Sequence, residues 1–272
     1  MLSSFIIAIR EGLEAALIVG ILVAYIVKSG KSHLLRFIWI GVGAAVATSL
    51  GLGAVLSFTS AELTPRGEGI FAGTTSALAV AVVTWMVFWM KRTARFLRHE
   101  LAGKVDQALL GGPLALAGAA FLAVVREGLE TSLFVYANFK SVAHPLNSAF
   151  GLIAGFGIAI ALGYLIYKSS INLDLSKFFT YTGIALIIVA AGVLSYGVHE
   201  FQDLGLLPGA DLFAWDVTSV IGKDSVLGAI LTGTIGFDTT TSWLQLGIYA
   251  AYLVAVLVPY LSKGRQKRLI NA

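Results

Sequence analysis

The chain contains no cysteine, which excludes disulfides, thiolate metal ligands and redox-active dithiols. Methionine is scarce as well, with three residues, so a path for soft metals such as Cu(I) would lack its usual ligands. Asp, Glu, Lys and Arg make up only 12% of the chain, about half the fraction found in an ordinary soluble domain. No Gly-rich phosphate loop of the Walker type is present, so the chain does not use ATP directly. No basic segment precedes the first apolar stretch, and Arg10, Glu11 and Glu14 interrupt it. It therefore reads as a retained helix and not as a cleaved signal peptide.

Apolar residues are abundant, at 57% of the sequence with a mean hydropathy of +0.86. They fall into seven stretches: Ser3–Val27, Phe37–Phe58, Gly69–Met90, Pro113–Asn138, Ser148–Tyr167, Phe178–Val198 and Ser242–Leu261. Each approaches or exceeds the length of about 20 residues that a bilayer-crossing helix needs. The net charge of +4 does not mark a nucleic-acid partner, because the basic residues sit at the ends of these stretches. Lys28, Lys31, Arg36, Lys91, Arg92, Arg95, Arg98, Lys104, Lys168, Lys177, Lys263, Arg265, Lys267 and Arg268 follow the odd-numbered stretches. Only Arg66, Lys140 and Lys223 lie in the alternate loops. The positive-inside rule then expects an external N-terminus, a cytoplasmic C-terminus and a plasma-membrane location, the inner membrane of a bacterium or archaeon.

Two copies of Arg-Glu-Gly-Leu-Glu, Arg10–Glu14 and Arg126–Glu130, lie inside the first and fourth stretches. A charge at the centre of a bilayer costs roughly 2.5–3.5 kcal/mol on insertion scales, so such residues face a protein interior or a wet cavity and mark function by default. Residues three or four apart share a helix face. Glu11 thus points with Glu14, and Glu127 with Glu130, while Arg10 and Arg126 each lie one turn from a glutamate. Gly12 and Gly128 leave room for another helix. With seven crossings the two copies run in opposite directions, so the expected fold is an all-α polytopic membrane protein. It has inverted 3+3 helix repeats and one extra helix, with its substrate site where the repeats meet. The corresponding divisions are residues 1–110, a triplet with a linker; 111–200, the second triplet; and 201–272, an acidic loop and the last helix. The linker Lys91–Leu110 reads equally as an amphipathic surface helix or a solvated connector. Gly41/Gly43 and Gly155/Gly157 occupy corresponding second helices, where small residues permit close packing.

Four converging carboxylates repel one another and resist burial. Two arginines offset part of that charge, and a hard cation with oxygen ligands would offset more. Residue chemistry alone leaves open iron, another hard or borderline divalent ion such as Mn(II), Fe(II) or Pb(II), and a membrane metal site that does not transport. An enzyme is not expected, since no nucleophile or further His/Asp/Glu cluster accompanies the repeats. Glu68, His199, Glu200 and Asp203 are candidates for an access path, although Glu68 equally suits a helix N-terminus. Tyr136 and Asn138 read as packing, and Trp39, Trp85, Trp89 and Trp243 as interface anchors.

The doubled motif, in the first and fourth of seven helices, resembles the high-affinity iron permeases. That family includes fungal oxidase-coupled ferric permeases and the membrane component of bacterial ferrous/ferric uptake systems. The resemblance covers nearly the whole chain, with Glu68-Gly69, His199-Glu200-Phe201, Trp215-Asp216 and Gln245 as further similar pieces. It implies iron, expected as Fe(III), as transported substrate with no resident cofactor. It also implies Glu11, Glu14, Glu127 and Glu130 as metal ligands, with Arg10 and Arg126 matching the motif's arginine. An extracellular or periplasmic oxidase or iron-binding protein is the implied partner. The acidic outer-loop motifs of fungal members have no residue-by-residue match here.

Overall fold

The computed structural model describes residues 1–93, 111–141, 145–168, 174–219 and 225–262. Most of the Lys91–Leu110 linker, Lys223, Asp224 and the basic C-terminus lie outside the described residues. Seven long helices coincide with the seven expected crossings: α1 (Leu2–Lys28), α2 (Leu35–Glu62), α3 (Pro65–Thr93), α4 (Gly112–Lys140), α5 (Pro145–Tyr167), α6 (Leu175–Asp203) and, after a shorter helix, α8 (Trp243–Ser262). Six are long and apolar enough to cross a membrane by composition alone. The remaining one, α1, has 27 residues and carries the three motif charges. Local signals set the helix starts. Pro113 lies in the first turn of α4, where its missing N–H costs nothing. Asp174 caps α6, its Oδ1 accepting from the Lys177 N–H at 3.1 Å. That hydrogen bond, with Lys177 Nζ at 3.2 Å, holds the Asp174 carboxyl below the usual carboxylate range.

The triplets interleave. α1 packs most extensively on α5, α2 on α4, and α3 on α6, a pattern that is unchanged when the two triplets are exchanged. Close contacts at glycines fix the directions. A Cβ on Gly12 would lie 2.8 Å from Ala159 Cβ, and Gly155 faces Phe5 and Ala8, so α1 and α5 run parallel. Gly41 faces Ala117 and Phe121, Gly128 faces Ser49, and Ser132 Oγ donates to the Ser49 carbonyl at 2.6 Å, so α2 and α4 run parallel too. Asn138 near the end of α4 donates to Ser4 Oγ at the start of α1, at 2.9 Å. The two motif helices are therefore antiparallel, and the repeats are inverted. Val55, Phe58, Ile153 and Ile160 point outward, as suits a surface that meets lipid chains.

The segment after α6 holds structure that hydropathy does not reveal. Strands β1 (Phe213–Asp216) and β2 (Thr240–Ser242) form a small antiparallel ladder, and Trp215 stacks on Phe237 with ring centroids 5.8 Å apart. Between them the short helix α7 (Val226–Ile235) ends at Gly236, whose φ is 67°. The Gly236 backbone packs directly on that of Gly192. Gly192 lies eleven residues before the end of α6, about 16 Å at the helical rise per residue. The connection thus re-enters the helix bundle. Gln245 serves a reciprocal cap: Ser242 N–H donates to Gln245 Oε1 at 2.6 Å and Gln245 N–H to Ser242 Oγ at 3.1 Å, which fixes the start of α8.

The glycine pairs divide alike in both repeats. Gly41 and Gly155 touch the partner helix, whereas nothing lies within 4 Å of a Cβ on Gly43 or Gly157. Gly41→Leu and Gly155→Leu should each destabilise the protein by about 1–3 kcal/mol or more through overpacking. Gly43→Leu and Gly157→Leu should leave the midpoint of thermal unfolding in detergent nearly unchanged. Equal effects at all four positions would contradict this packing.

Candidate metal site

The antiparallel crossing brings the two motifs to one level. Counted from the Ser4–Asn138 hydrogen bond, Glu11 and Glu14 lie seven and ten residues into α1. Glu130 and Glu127 lie eight and eleven residues back along α4. All four fall within about 10–17 Å of that bond along the helix axes. One carboxylate oxygen from each of Glu11, Glu14 and Glu127 lies within 4.8 Å of the other two, and all three side chains are buried. Among the described residues no other group of three His, Cys, Asp or Glu side chains comes together at this spacing. Glu130 is also buried but stands outside that close group.

The arginines contact their carboxylates differently. Arg10 is fully buried, with Nη1 3.0 Å from Glu11 Oε1 and Nη2 3.3 Å from Glu14 Oε1. Arg126 Nη2 lies 2.7 Å from Glu127 Oε1 and its Nε 3.7 Å from Glu130 Oε1. In each copy the nearer partner is the adjacent glutamate and not the one a turn away, because the guanidinium folds back along its own helix. The Arg126 side chain is 37% exposed and its guanidinium sits 4.0 Å above the Trp89 ring. Trp89, expected only as an interface anchor, is thus part of the motif's surroundings; no periodicity in α3 announces that contact.

Even with both arginines in place, Glu11 Oε2, Glu127 Oε2 and Glu130 Oε2 have no hydrogen-bond partner, and Glu14 Oε1 has only its ion pair. Buried carboxylate oxygens without partners are costly, and a cation among them would satisfy several at once. The donor set is all oxygen, which suits hard or borderline ions. Gly12 and Gly128 let α5 and α2 close directly over the motifs: a Cβ on Gly128 would lie 2.9 Å from Ser49 Cβ.

A cavity of about 890 Å³ runs between α2 and α5 over the motif helices. Glu11 and Glu127 line one end and Lys140 the other, with Ser49, Thr131, Ser132 and Tyr136 between them. The buried Tyr136 hydroxyl has no hydrogen-bond partner. Asn138, by contrast, is tied to Ser4 and serves packing. Among the residues expected on an access path, Glu200 Oε2 packs against Gly69, next to Glu68, but no three of the four meet at metal-site spacing. Glu68 pairs with Lys140 at 2.7 Å, His199 with Asp203 at 3.5 Å, and Glu200 with the Tyr196 hydroxyl. In the loop, Asp216 accepts from the Thr218 N–H and hydroxyl, which hold its carboxyl below the usual carboxylate range.

The unequal burial of the arginines has a measurable consequence. Arg10→Ala leaves enclosed carboxylates unpaired and should cost about 3–5 kcal/mol, the range for breaking a buried pair. Arg126→Ala should cost distinctly less, since part of its charge is already solvated. Thermal unfolding of the two purified variants measures this, and an equal or larger loss for Arg126→Ala would contradict the geometry.

No solved structure matches the chain. The chain is similar to the ferrous iron permease EfeU of Escherichia coli O6:H1 strain CFT073, with 34% identity covering 97% of both chains. It is similar to the protein of that name from Shigella sonnei strain Ss046, with 34% identity over 96% of this chain and 95% of that one. For the Yersinia pestis protein of the same name, identity is 33% over 95% of this chain and 92% of that one. The family profile matches residues 1–263, a stretch that takes in both motif helices and all seven long helices, and the chain belongs to the iron permease FTR1 family.

Proposed function

We propose that this multi-pass iron permease passes iron through the buried carboxylate cluster of Glu11, Glu14 and Glu127, with Glu130 as an adjoining ligand. The observation that carries this reading is the meeting of three carboxylate oxygens from two antiparallel helices within 4.8 Å. Fe(II) is the cargo we favour over the Fe(III) expected from resemblance. The names of the EfeU relatives specify ferrous iron, which supports this choice.

The face that holds Met1 and the end of α4 is the outer one on this reading, since only Arg66, Lys140 and Lys223 fall in its loops. An inside-negative potential then drives a cation inward, at about 2.3 kcal/mol per charge per 100 mV. A carrier or oxidase that delivers iron would meet the loop residues Leu204–Thr241.

Uptake into liposomes by the purified protein tests the site. Glu11→Gln, Glu14→Gln and Glu127→Gln should each reduce Fe(II) uptake to the level of protein-free vesicles while the protein stays folded. Glu130→Gln should lose less. Normal uptake by folded Gln variants would place the site elsewhere, and uptake of Fe(III) but not Fe(II) would reverse the assigned oxidation state.

The chain's lack of cysteine makes orientation simple to check. Thr64 and Ser29 are both exposed, on opposite faces. Thr64→Cys should react with a membrane-impermeant thiol reagent in intact cells and Ser29→Cys should not. The converse result would invert the assigned topology.

A further inference from the structure

The search for function outside the motif leads to the far end of the large cavity. Lys140 is the last residue of α4 and lines the cavity whose other end is formed by Glu11 and Glu127. It is the sole lysine or arginine among the lining residues. A free ammonium there would face any cation moving along the cavity, with low-dielectric walls such as Leu50, Leu152 and Phe156 doing little to screen it. Lys140 is not free, however. Its Nζ lies 2.7 Å from Glu68 Oε1 in the first turn of α3, and both side chains remain partly exposed. Glu68 is thus engaged by a cation of the protein; Glu200 packs nearby against Gly69, but Glu68 belongs to no group of three metal-ligating side chains at metal-site spacing among the described residues.

We infer that Glu68 is a positioning residue that holds the Lys140 ammonium aside, and that Lys140 is the electrostatic gate of the cavity leading to the carboxylate cluster. The inference rests on the proposed function for its meaning in transport, but the gate can be tested without iron. A fixed charge in a narrow cleft changes the arrival rate of charged solutes by about tenfold or more. Loss of Glu68 should therefore slow cations by releasing Lys140, and removal of Lys140 should undo that loss. Were Glu68 instead a cation ligand, its loss would persist without Lys140. Were the pair only a clamp between α3 and α4, removing either partner would loosen the cavity for charged and neutral solutes alike.

The test uses the full-length protein carrying Thr131→Cys, a cavity position next to Glu127, in detergent, so that membrane orientation does not matter. Two methanethiosulfonates of similar size are compared, one bearing a trimethylammonium group and one neutral. Glu68→Gln should slow the cationic reagent about tenfold and leave the neutral reagent unchanged. Lys140→Met should label at least as fast as the parent, and the double variant should behave like Lys140→Met. In liposomes, Glu68→Gln should raise the KM for Fe(II) without changing the maximal rate, with Lys140→Met restoring it. An unchanged cation-to-neutral ratio in Glu68→Gln, or a defect that survives in the double variant, overturns the gate. If Glu127→Gln still transports, the carboxylate site is wrong, whereas the reagent ratios judge the gate independently of that result.

Discussion

The constraint on which this structure depends is the cost of holding six ionisable side chains at mid-depth among apolar helices. Water cannot reach most of them, so the protein must supply the compensating charge and geometry. It does so first within each helix, where an arginine folds onto its own glutamates at 3.0 Å in α1 and 2.7 Å in α4. It then does so between helices, because antiparallel crossing puts the two charge groups side by side. That crossing in turn needs neighbours that can close over the motifs. Gly12 and Gly128 admit α5 and α2, and Gly41 and Gly155 bring the same helix pairs together one or two turns away. The inverted pairing of α1 with α5 and α2 with α4 follows from burying the motifs.

The compensation is incomplete and unequal. An oxygen on each of the four glutamates still lacks a hydrogen-bond partner, which a purely structural Arg–Glu lock would be expected to avoid, since replacing it by apolar residues would be no less stable. The inequality traces to the helix that has no counterpart in the repeat. Tyr260 of α8 shares a buried cluster with Ile7, one turn from Arg10, and with Val83, Met86 and Leu186. That cluster closes the Arg10 side. Arg126 instead meets Trp89 of α3 and stays 37% exposed. An aromatic face attracts a guanidinium without neutralising it, so Arg126 can remain charged and stacked while the site beside it changes occupancy.

Most of the architecture could be read in advance because membrane helices announce themselves by length and polarity. The seven stretches, the opposed motifs and the close packing at Gly41 and Gly155 all follow from patterns within about 20 residues. Features that depend on distant partners were not legible. Nothing around Trp89 indicates that it lies under Arg126, and nothing around Lys140 indicates Glu68, because these contacts join helices whose relative rotation no single-helix period encodes. The split of the glycine pairs, with Gly43 and Gly157 facing away, is invisible for the same reason. Three of the four motif glutamates form the close group and Glu130 stands apart. That distinction is not encoded in the motif itself, since both copies are identical in sequence.

The outer segment Glu200–Thr241 reads in sequence as an acidic loop, yet the chain there carries a strand pair, a short helix and a turn that reaches Gly192. Element length explains the misreading. The apolar helix α7 has ten residues, about half the length a crossing needs, and the strands have four and three, so none of them registers as a hydropathy stretch. Gly236 meets Gly192 backbone to backbone, Thr239 and Thr241 are buried, and Gln202 is bonded to Ser242 Oγ and to the Pro208 carbonyl. A backbone that enters an apolar bundle must satisfy its own polar groups: the Gly236 N–H donates to the Thr232 carbonyl at 3.1 Å, and Gln202 serves the Pro208 carbonyl. The loop is therefore anchored at both ends by glutamine–serine hydrogen bonds and in its middle by the two glycines. Asp211 and Asp216 remain at the exposed rim, where they add negative potential to the face at which the large cavity ends.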